Sequence, residues 1–409
     1  MAVVGKSFFR REMIRMKLRP LFICAIFAAL VPGMFFAAPR PSQAMPEFAQ
    51  ATGLKCSACH TMAPLLNAFG RRVQYSGYSV LDRHDLAKAF PVWIEESMQY
   101  DSTAGAGTGT PRFDFGNVGL HGIGYLAPDV TYHVQQWLVQ GGEPGGLDTA
   151  WVAYNHVITP DAHVFIGKIL NPAPSIYSQD SDIDAPSASG TLVGEHDWSA
   201  TYNNRWGAKA AYVHRAIDAE AGYLLSTDDL NGITDFNSGD KTFQWKVADA
   251  QPNSPLEFGV FGSSGSIPVS TGLDRYSSAA GYAMLDAGKY GRPGLFAAYQ
   301  GESDSNPGAS QSGGPYPSAS TRGFSGEVME PFLRGNLLFT YRHDFNDAGI
   351  TGGTANGNAI NLAFNVPGCR YLHGYLESNL GGNSALYGAS GGPTWKGMLW
   401  LTVPVTNAR

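Results

Sequence analysis

The sequence predicts an all-β protein: an antiparallel transmembrane β-barrel of about 16 strands, with a short α-helical plug segment at its N-terminal end. Three observations predict it. From about Phe90 onward the 409-residue chain shows short segments of period-two alternation and no long helical period. The connections between those segments are long and short in turn, as in barrels with long loops at one rim and tight turns at the other. The composition is rich in Gly (50), Phe (22) and Tyr (19) and only 15% charged, which suits an outer surface that meets lipid.

Residues 1–44 read as an export signal. Arg10, Arg11, Arg15, Lys17 and Arg19 form a basic start, and an apolar stretch runs from Leu21 to Ala38. Ser42-Gln43-Ala44 then supplies small residues at a cleavage site, leaving Met45 as the new N-terminus. The alternative is an anchor helix, which the Pro32-Gly33 break and the length of the stretch oppose. Removal takes seven of the 28 Lys/Arg and one of the 34 Asp/Glu, leaving 21 against 33 and a net charge of −12. That disfavours nucleic acid as a partner and leaves room for cations. Of the four cysteines, Cys24 goes with the signal, and Cys56 and Cys59 share one motif. Cys369, in an expected turn after Pro367-Gly368, reads as a free thiol, so no disulfide framework is expected.

Residues 45–90 carry the chemistry. Cys56-Ser57-Ala58-Cys59-His60 is the CxxCH signature of covalent haem c attachment. Two thiols one turn apart can both add to the vinyl groups of one haem, and the adjacent His60 is placed as proximal iron ligand. Zinc would require a second ligand pair, and a thioredoxin-like site a surrounding βαβ pattern; neither is present. For the other face of the iron the candidates are His84, Met98 and Met45, a His or Met reaching in from the barrel wall, or an open five-coordinate site. Pro64 fits the first position of a short helix with Leu65 and Phe69 on one face and Arg71 and Arg72 beyond. Residues 45–90 are too few to bury a haem alone. The expectation is therefore a plug inside the barrel lumen, the wall supplying the missing burial and the haem sitting mid-lumen.

Residues 91–409 supply the barrel. Ile217, Ala219, Ala221 and Tyr223 alternate with Asp218, Glu220 and Gly222; Phe243, Trp245 and Val247 alternate with Gln244 and Lys246. Strands are expected to begin near residues 92, 113, 129, 148, 162, 205, 216, 241, 256, 273, 292, 322, 333, 358, 370 and 396. Long connections fall at 101–111, 169–200, 227–240, 302–321, 345–357 and 380–394. That rhythm sets both chain ends on the periplasmic side and the long loops outside, and it argues against a soluble sandwich or propeller. His133 and His373 have lumen-facing parity, open to haem ligation, a relay role or plain solvation. Asp180, Asp182, Asp184, Asp228, Asp229, Glu302 and Asp304 are assigned to external loops, where they either gather Fe(II) or are ordinary solvated loop residues.

The haem segment resembles the fused monohaem cytochrome c–porins, the outer-membrane iron oxidases of iron-oxidising bacteria. The resemblance runs through Ala44-Met45-Pro46-Glu47-Phe48-Ala49, Thr52-Gly53, the CxxCH run, Pro64-Leu65 and Phe69-Gly70-Arg71, and extends to the barrel in architecture only. Gln50-Ala51 stands where the family favours Arg-Gln, and Arg72-Val73 where it favours Phe-Lys. The resemblance implies an iron:cytochrome c oxidoreductase type of activity. Extracellular Fe(II) would be oxidised, and the electron would pass through one covalent haem c to a periplasmic carrier, a soluble cytochrome or copper protein. Keeping the donor outside makes chemical sense, because iron oxidised within the cell precipitates as ferric hydroxide at neutral pH. Two other functions fit the residues: electron exchange with a different external donor or acceptor, and a diffusion porin whose haem segment is a plug or sensor.

Overall fold

The structure is a computed structural model that describes residues 52–62, 65–81, 83, 92–102, 112–140, 143–170, 204–225, 241–269, 272–288, 292–305, 318–348, 353–366, 372–382 and 394–404. The signal, Met45, His84, Cys369 and Asp180, Asp182, Asp184, Asp228 and Asp229 lie outside the described residues. The described residues open with a small plug: a 3₁₀ turn at Cys56–Ala58, strands β1 (His60–Met62) and β2 (Leu65–Leu66), and helix α1 (Ala68–Tyr75). The barrel strands follow as β3 (Val92–Asp101), β4 (Arg112–Ala127), β5 (Val130–Gln140), β7 (Leu147–Asn155), β8 (Ala162–Ile169), β9 (Arg205–His214), β10 (Ile217–Leu224) and β11 (Lys241–Ala250). They continue with β12 (Leu256–Val269), β13 (Gly272–Leu285), β14 (Gly294–Asp304), β15 (Ala319–Phe332), β16 (Leu337–Ala348), β17 (Gly353–Asn365), β18 (Leu372–Gly382) and β19 (Thr394–Pro404). The two-residue β6 (Glu143–Pro144) is a spur on β5.

Among the described residues these strands form a closed antiparallel ring of sixteen, each paired with its neighbour in sequence. The ring is sealed where β19 runs antiparallel to β3, from Lys396 opposite Asp101 to Pro404 opposite Trp93. Closure removes the free sheet edges that an open sheet of this length would leave exposed. The alternation does the sorting of faces. On β10 and β11, Ile217, Tyr223, Phe243 and Val247 are exposed on the outside, whereas Asp218, Glu220, Gln244 and Lys246 are buried on the inner wall. An apolar outer band over a polar interior is the pattern of a barrel that crosses lipid.

One rim carries the longer connections, at 102–111, 170–204, 225–240, 305–318 and 383–393, although 270–271 and 349–352 on the same side are short. The opposite rim has tight turns at 128–129, 215–216, 251–255 and 333–336. The plug is fastened at this short-turn rim. Its contacts are to Arg215 and Asp286 in turns and to Glu257, Thr131 and Trp93 near strand ends. The expected mid-lumen position is therefore corrected: the segment is offset towards one rim, because its polar partners all belong there.

The fastening centres on Arg71, which the sequence set beyond the apolar face of the helix and the structure buries almost completely. Its Nε donates to Glu257 Oε2 at 2.7 Å, and its Nη1 donates to Asp286 Oδ1 at 2.8 Å and to the Leu66 carbonyl at 2.9 Å. Burial works against the guanidinium charge, but the two carboxylates outweigh it and hold the group protonated. Asp286 also accepts the Ala68 amide at 2.8 Å, setting a negative charge against the N-terminus of α1. Farther along the helix, the Lys246 ammonium sits 3.4 Å from the centroid of the Tyr75 ring while its charge is met by Asp218 and Glu220 at 2.6 and 2.7 Å. Removing one partner of a buried ion pair costs about 3–5 kcal/mol, because the survivor is left uncompensated. Arg71→Ala is accordingly expected to release the plug while the barrel stays closed. Limited proteolysis should cut the variant between residues 52 and 91 at protease levels that spare the wild type, with the heat-resistant gel mobility of the barrel unchanged.

Candidate functional site

The Cys56–His60 run is shaped by its 3₁₀ turn, closed by Ala58 N–H to Lys55 O at 2.8 Å and Cys59 N–H to Cys56 O at 3.0 Å. In this helix type, side chains three residues apart eclipse, so Cys56 and Cys59 share one side of the turn. The two form no disulfide with each other. Burial pushes the Cys59 thiol up to about 11. His60 follows at once and is buried against the wall.

The turn is pinned from below by the start of α1. Asn67 caps the helix, its Oδ1 accepting from Gly70 N–H at 3.0 Å. The same side chain donates through Nδ2 to the Ala58 carbonyl at 3.0 Å, and the Asn67 amide donates to the Cys59 carbonyl at 2.9 Å. The helix thus begins at Ala68 and not at Pro64. Leu65 and Leu66 pair instead with Met62 and His60 as a two-stranded ladder, because the capping side chain lies three residues later than the proline signal. Gly70 is where helix and turn meet: a Cβ there would fall 2.1 Å from the Cys59 carbonyl oxygen.

The end of α1 is equally determined. Tyr78 N–H reaches Val73 O at 2.8 Å and Gly77 N–H reaches Gln74 O at 3.0 Å, with Gly77 at φ +57°. This is a Schellman ending that only a residue free of Cβ strain adopts cheaply. Tyr78 then stacks on Trp151, centroids 5.4 Å apart, and its hydroxyl meets His133 Nδ1 at 3.1 Å. His133 is therefore committed to the plug and not solvated. Met62 and Leu65 pack into one apolar cluster of the wall, with Tyr375, Met398 and Trp400, and Val73, Tyr78 and Leu81 into another, with Trp93, Trp151 and Phe165.

Of the other candidates, Met98 lies on the outer face of β3. It is 37% exposed, like Ile94, whereas Trp93 on the inner face is 2% exposed; its thioether is on the wrong side of the wall to reach His60. Glu302 and Asp304, expected in an external loop, belong to the inner face of β14, which stays paired to β15 as far as Asp304 opposite Ala319. His373 lies on the inner face of β18, stacked on Trp400. The residues that position the site and escaped the sequence reading are Asn67, Glu257 and Asp286. Asn67 had a local signal, a capping residue three positions before Gly70; the two acids had none, lying 186 and 215 residues from Arg71.

The donor set fits a haem better than a bare metal ion. Among the described residues no group of three or more His, Cys, Asp or Glu is placed to hold a metal. A haem brings its own four equatorial nitrogens and asks of the protein two thiols and an imidazole, and Cys56, Cys59 and His60 supply those. No protein-family model and no curated protein matches the sequence. Solved structures match its shape. A loop-L8 deletion mutant of OmpT, an outer membrane protein of Vibrio cholerae, is 12% identical with a TM-score of 0.53, over 76% of this chain and 97% of that one. An anion-selective porin from Comamonas acidovorans is 14% identical with a TM-score of 0.51, over 76% and 98%. The fold is therefore that of the sixteen-stranded porins, with a CxxCH plug fastened inside it.

Gly70→Ala is expected to force α1 away from the Cys56–His60 turn. In protein prepared without haem, alkylation of Cys59 should become faster than in the wild type; an unchanged rate would mean that the contact relaxes without consequence.

Proposed function

We propose that the chain is an outer-membrane cytochrome–porin that oxidises extracellular Fe(II) and delivers the electron to a periplasmic carrier, a soluble cytochrome or copper protein. The observation that carries this reading is the location of the CxxCH turn: it is fastened inside a closed barrel, at the rim where β3 begins and β19 ends. On this reading the short-turn rim is periplasmic and the long connections face outward. When bound, the haem supplies one-electron Fe(III)/Fe(II) chemistry at a fixed point. Cys56 and Cys59 tether it, His60 holds the iron, and Asn67, Gly70 and Arg71 hold the turn that presents them. The plug and wall clusters exclude water from the His60 side, which favours electron transfer over ligand exchange.

One part of the inner wall, away from Arg205 and Lys209 on β9, supports a cationic donor. Among the described residues of β13 to β19 the inner wall carries Asp274, Glu302, Asp304, Glu327, Asp344 and Glu377 against Arg342 and Lys396. With no ligand cage for a metal among those residues, the acids act as a diffuse field that concentrates cations. A carrier on the periplasmic side needs only to approach the short-turn rim.

The porin-like fold favours one other reading, a diffusion channel in which the plug is a stopper or sensor. Mixing the purified haem-bearing protein with Fe(II) and following the haem absorption bands separates the two. Rapid reduction is expected, and Cys56→Ser/Cys59→Ser should abolish covalent haem and Fe(II) oxidation together. Solute flux indifferent to haem removal, with no reduction by Fe(II), would establish the channel instead. Glu302→Gln/Asp304→Asn should slow reduction by Fe(II) about tenfold at low salt through loss of field, the difference shrinking as salt rises. A rate unchanged at low salt would rule out the steering role.

A further inference from the structure

The iron of a CxxCH haem has a second axial face, and the fold brings the wall histidine His373 to the part of the plug that holds His60. His60 opens β1, which packs against β17; β17 in turn pairs with β18 so that Asn365 lies opposite His373. His373 shares its inward parity with Tyr375 and Glu377, both buried, while the intervening Leu376 is 41% exposed on the outside. The His373 ring lies against Trp400, centroids 5.3 Å apart and planes 21° from parallel, and Trp400 packs on the cluster that holds Met62 and Leu65. The imidazole is thus held at the seam between plug and wall, its ring plane set by stacking on Trp400.

The other inner-wall histidines near the plug lie by the second apolar cluster, that of Tyr78, Trp93 and Trp151. His133 bonds the Tyr78 hydroxyl through Nδ1 and packs on Trp151, its Nε2 having no hydrogen-bond partner among the described residues, and His121 is stacked on Trp93. His163 is bonded to Asn155. Among the described residues His373 makes no hydrogen bond or ion pair, so neither ring nitrogen is committed to them.

Resting on the haem reading above, we infer that His373 is the second axial ligand of the haem iron, supplied by the barrel wall opposite His60. The ligand set is then two imidazoles, one from the plug and one from β18, and the iron itself joins the two parts of the chain. Met398, opposite Tyr375 on β19 and buried in the same cluster, is the rival donor.

The test uses the full-length protein purified with haem attached. Wild type is expected to be six-coordinate and low-spin, with the electron-paramagnetic signature of two imidazoles and no prompt carbon monoxide binding when reduced. His373→Ala should turn high-spin and bind carbon monoxide stoichiometrically. Should that variant accumulate poorly, His373→Met keeps the inference testable: it should gain the charge-transfer band of a thioether ligand and a higher midpoint potential. His133→Ala should retain the wild-type spectrum. A wild type that is five-coordinate, a His373→Ala spectrum identical to wild type, or a thioether band lost in Met398→Leu would each overturn the assignment and leave the cytochrome reading standing. A wild type without covalent haem would remove both.

Discussion

Everything distinctive in this molecule depends on the burial of one guanidinium. A sixteen-stranded ring is wide enough to leave an aqueous channel, and nothing in the ring alone tells an N-terminal segment to stay inside it. Arg71 settles the matter by offering donors to two wall carboxylates, Glu257 and Asp286, and to the carbonyl of Leu66 at once. Neither acid would be tolerable at that depth without the cation, and the cation would not be tolerable without the acids. The pair of bonds therefore acts less as a source of net stability than as a specification of where the helix must lie. Tyr75 over Lys246 and Tyr78 on Trp151 then fix its rotation.

That placement shapes the chemistry one step removed. The Cys56–His60 turn has little structure of its own, and it inherits its position from α1 through Asn67 and the close approach at Gly70. The chain of dependence runs from a barrel wall, through a buried ion pair, to a helix cap and finally to a pair of thiols. Each link is short and polar, so each is geometrically strict. The apolar clusters around Met62 and Val73 contribute area and exclude water, but being non-directional they leave the register of the plug to the polar contacts.

How much of this is legible in the sequence follows from how local each feature is. The strands were readable wherever one face meets an apolar medium, as in the alternation of Ile217 and Tyr223 with Asp218 and Glu220. They were less readable where strands run on past that band. β17 begins at Gly353, in a Gly-Thr-Ala-Asn-Gly run with no apolar alternation, and as far as Asn356 is defined only by its pairing with β16. For the same reason Glu302 and Asp304 read as loop residues. The CxxCH turn is fully local and was visible. The partners of Arg71 were not, because a contact between residues about two hundred positions apart leaves no periodic trace. The helix start was misplaced by a competing local signal, Pro64 over Asn67, which tertiary contact with Ala58 and Asp286 resolves in favour of the asparagine.

The seam at which β19 meets β3 has a further consequence. Trp93 on one side of that seam packs with Val73 and Tyr78 of the plug, and Met398 on the other side packs with Met62 and Leu65. The N-terminal segment thus touches both lips of the opening that must zip shut last if the hairpins form in chain order. It serves as a mandrel around which the sheet is wound, and a cargo fixed to its cysteines has to be in place before the cylinder is sealed. On the proposed haem reading the chain would reach the membrane already loaded, as an unclosed sheet about a finished core.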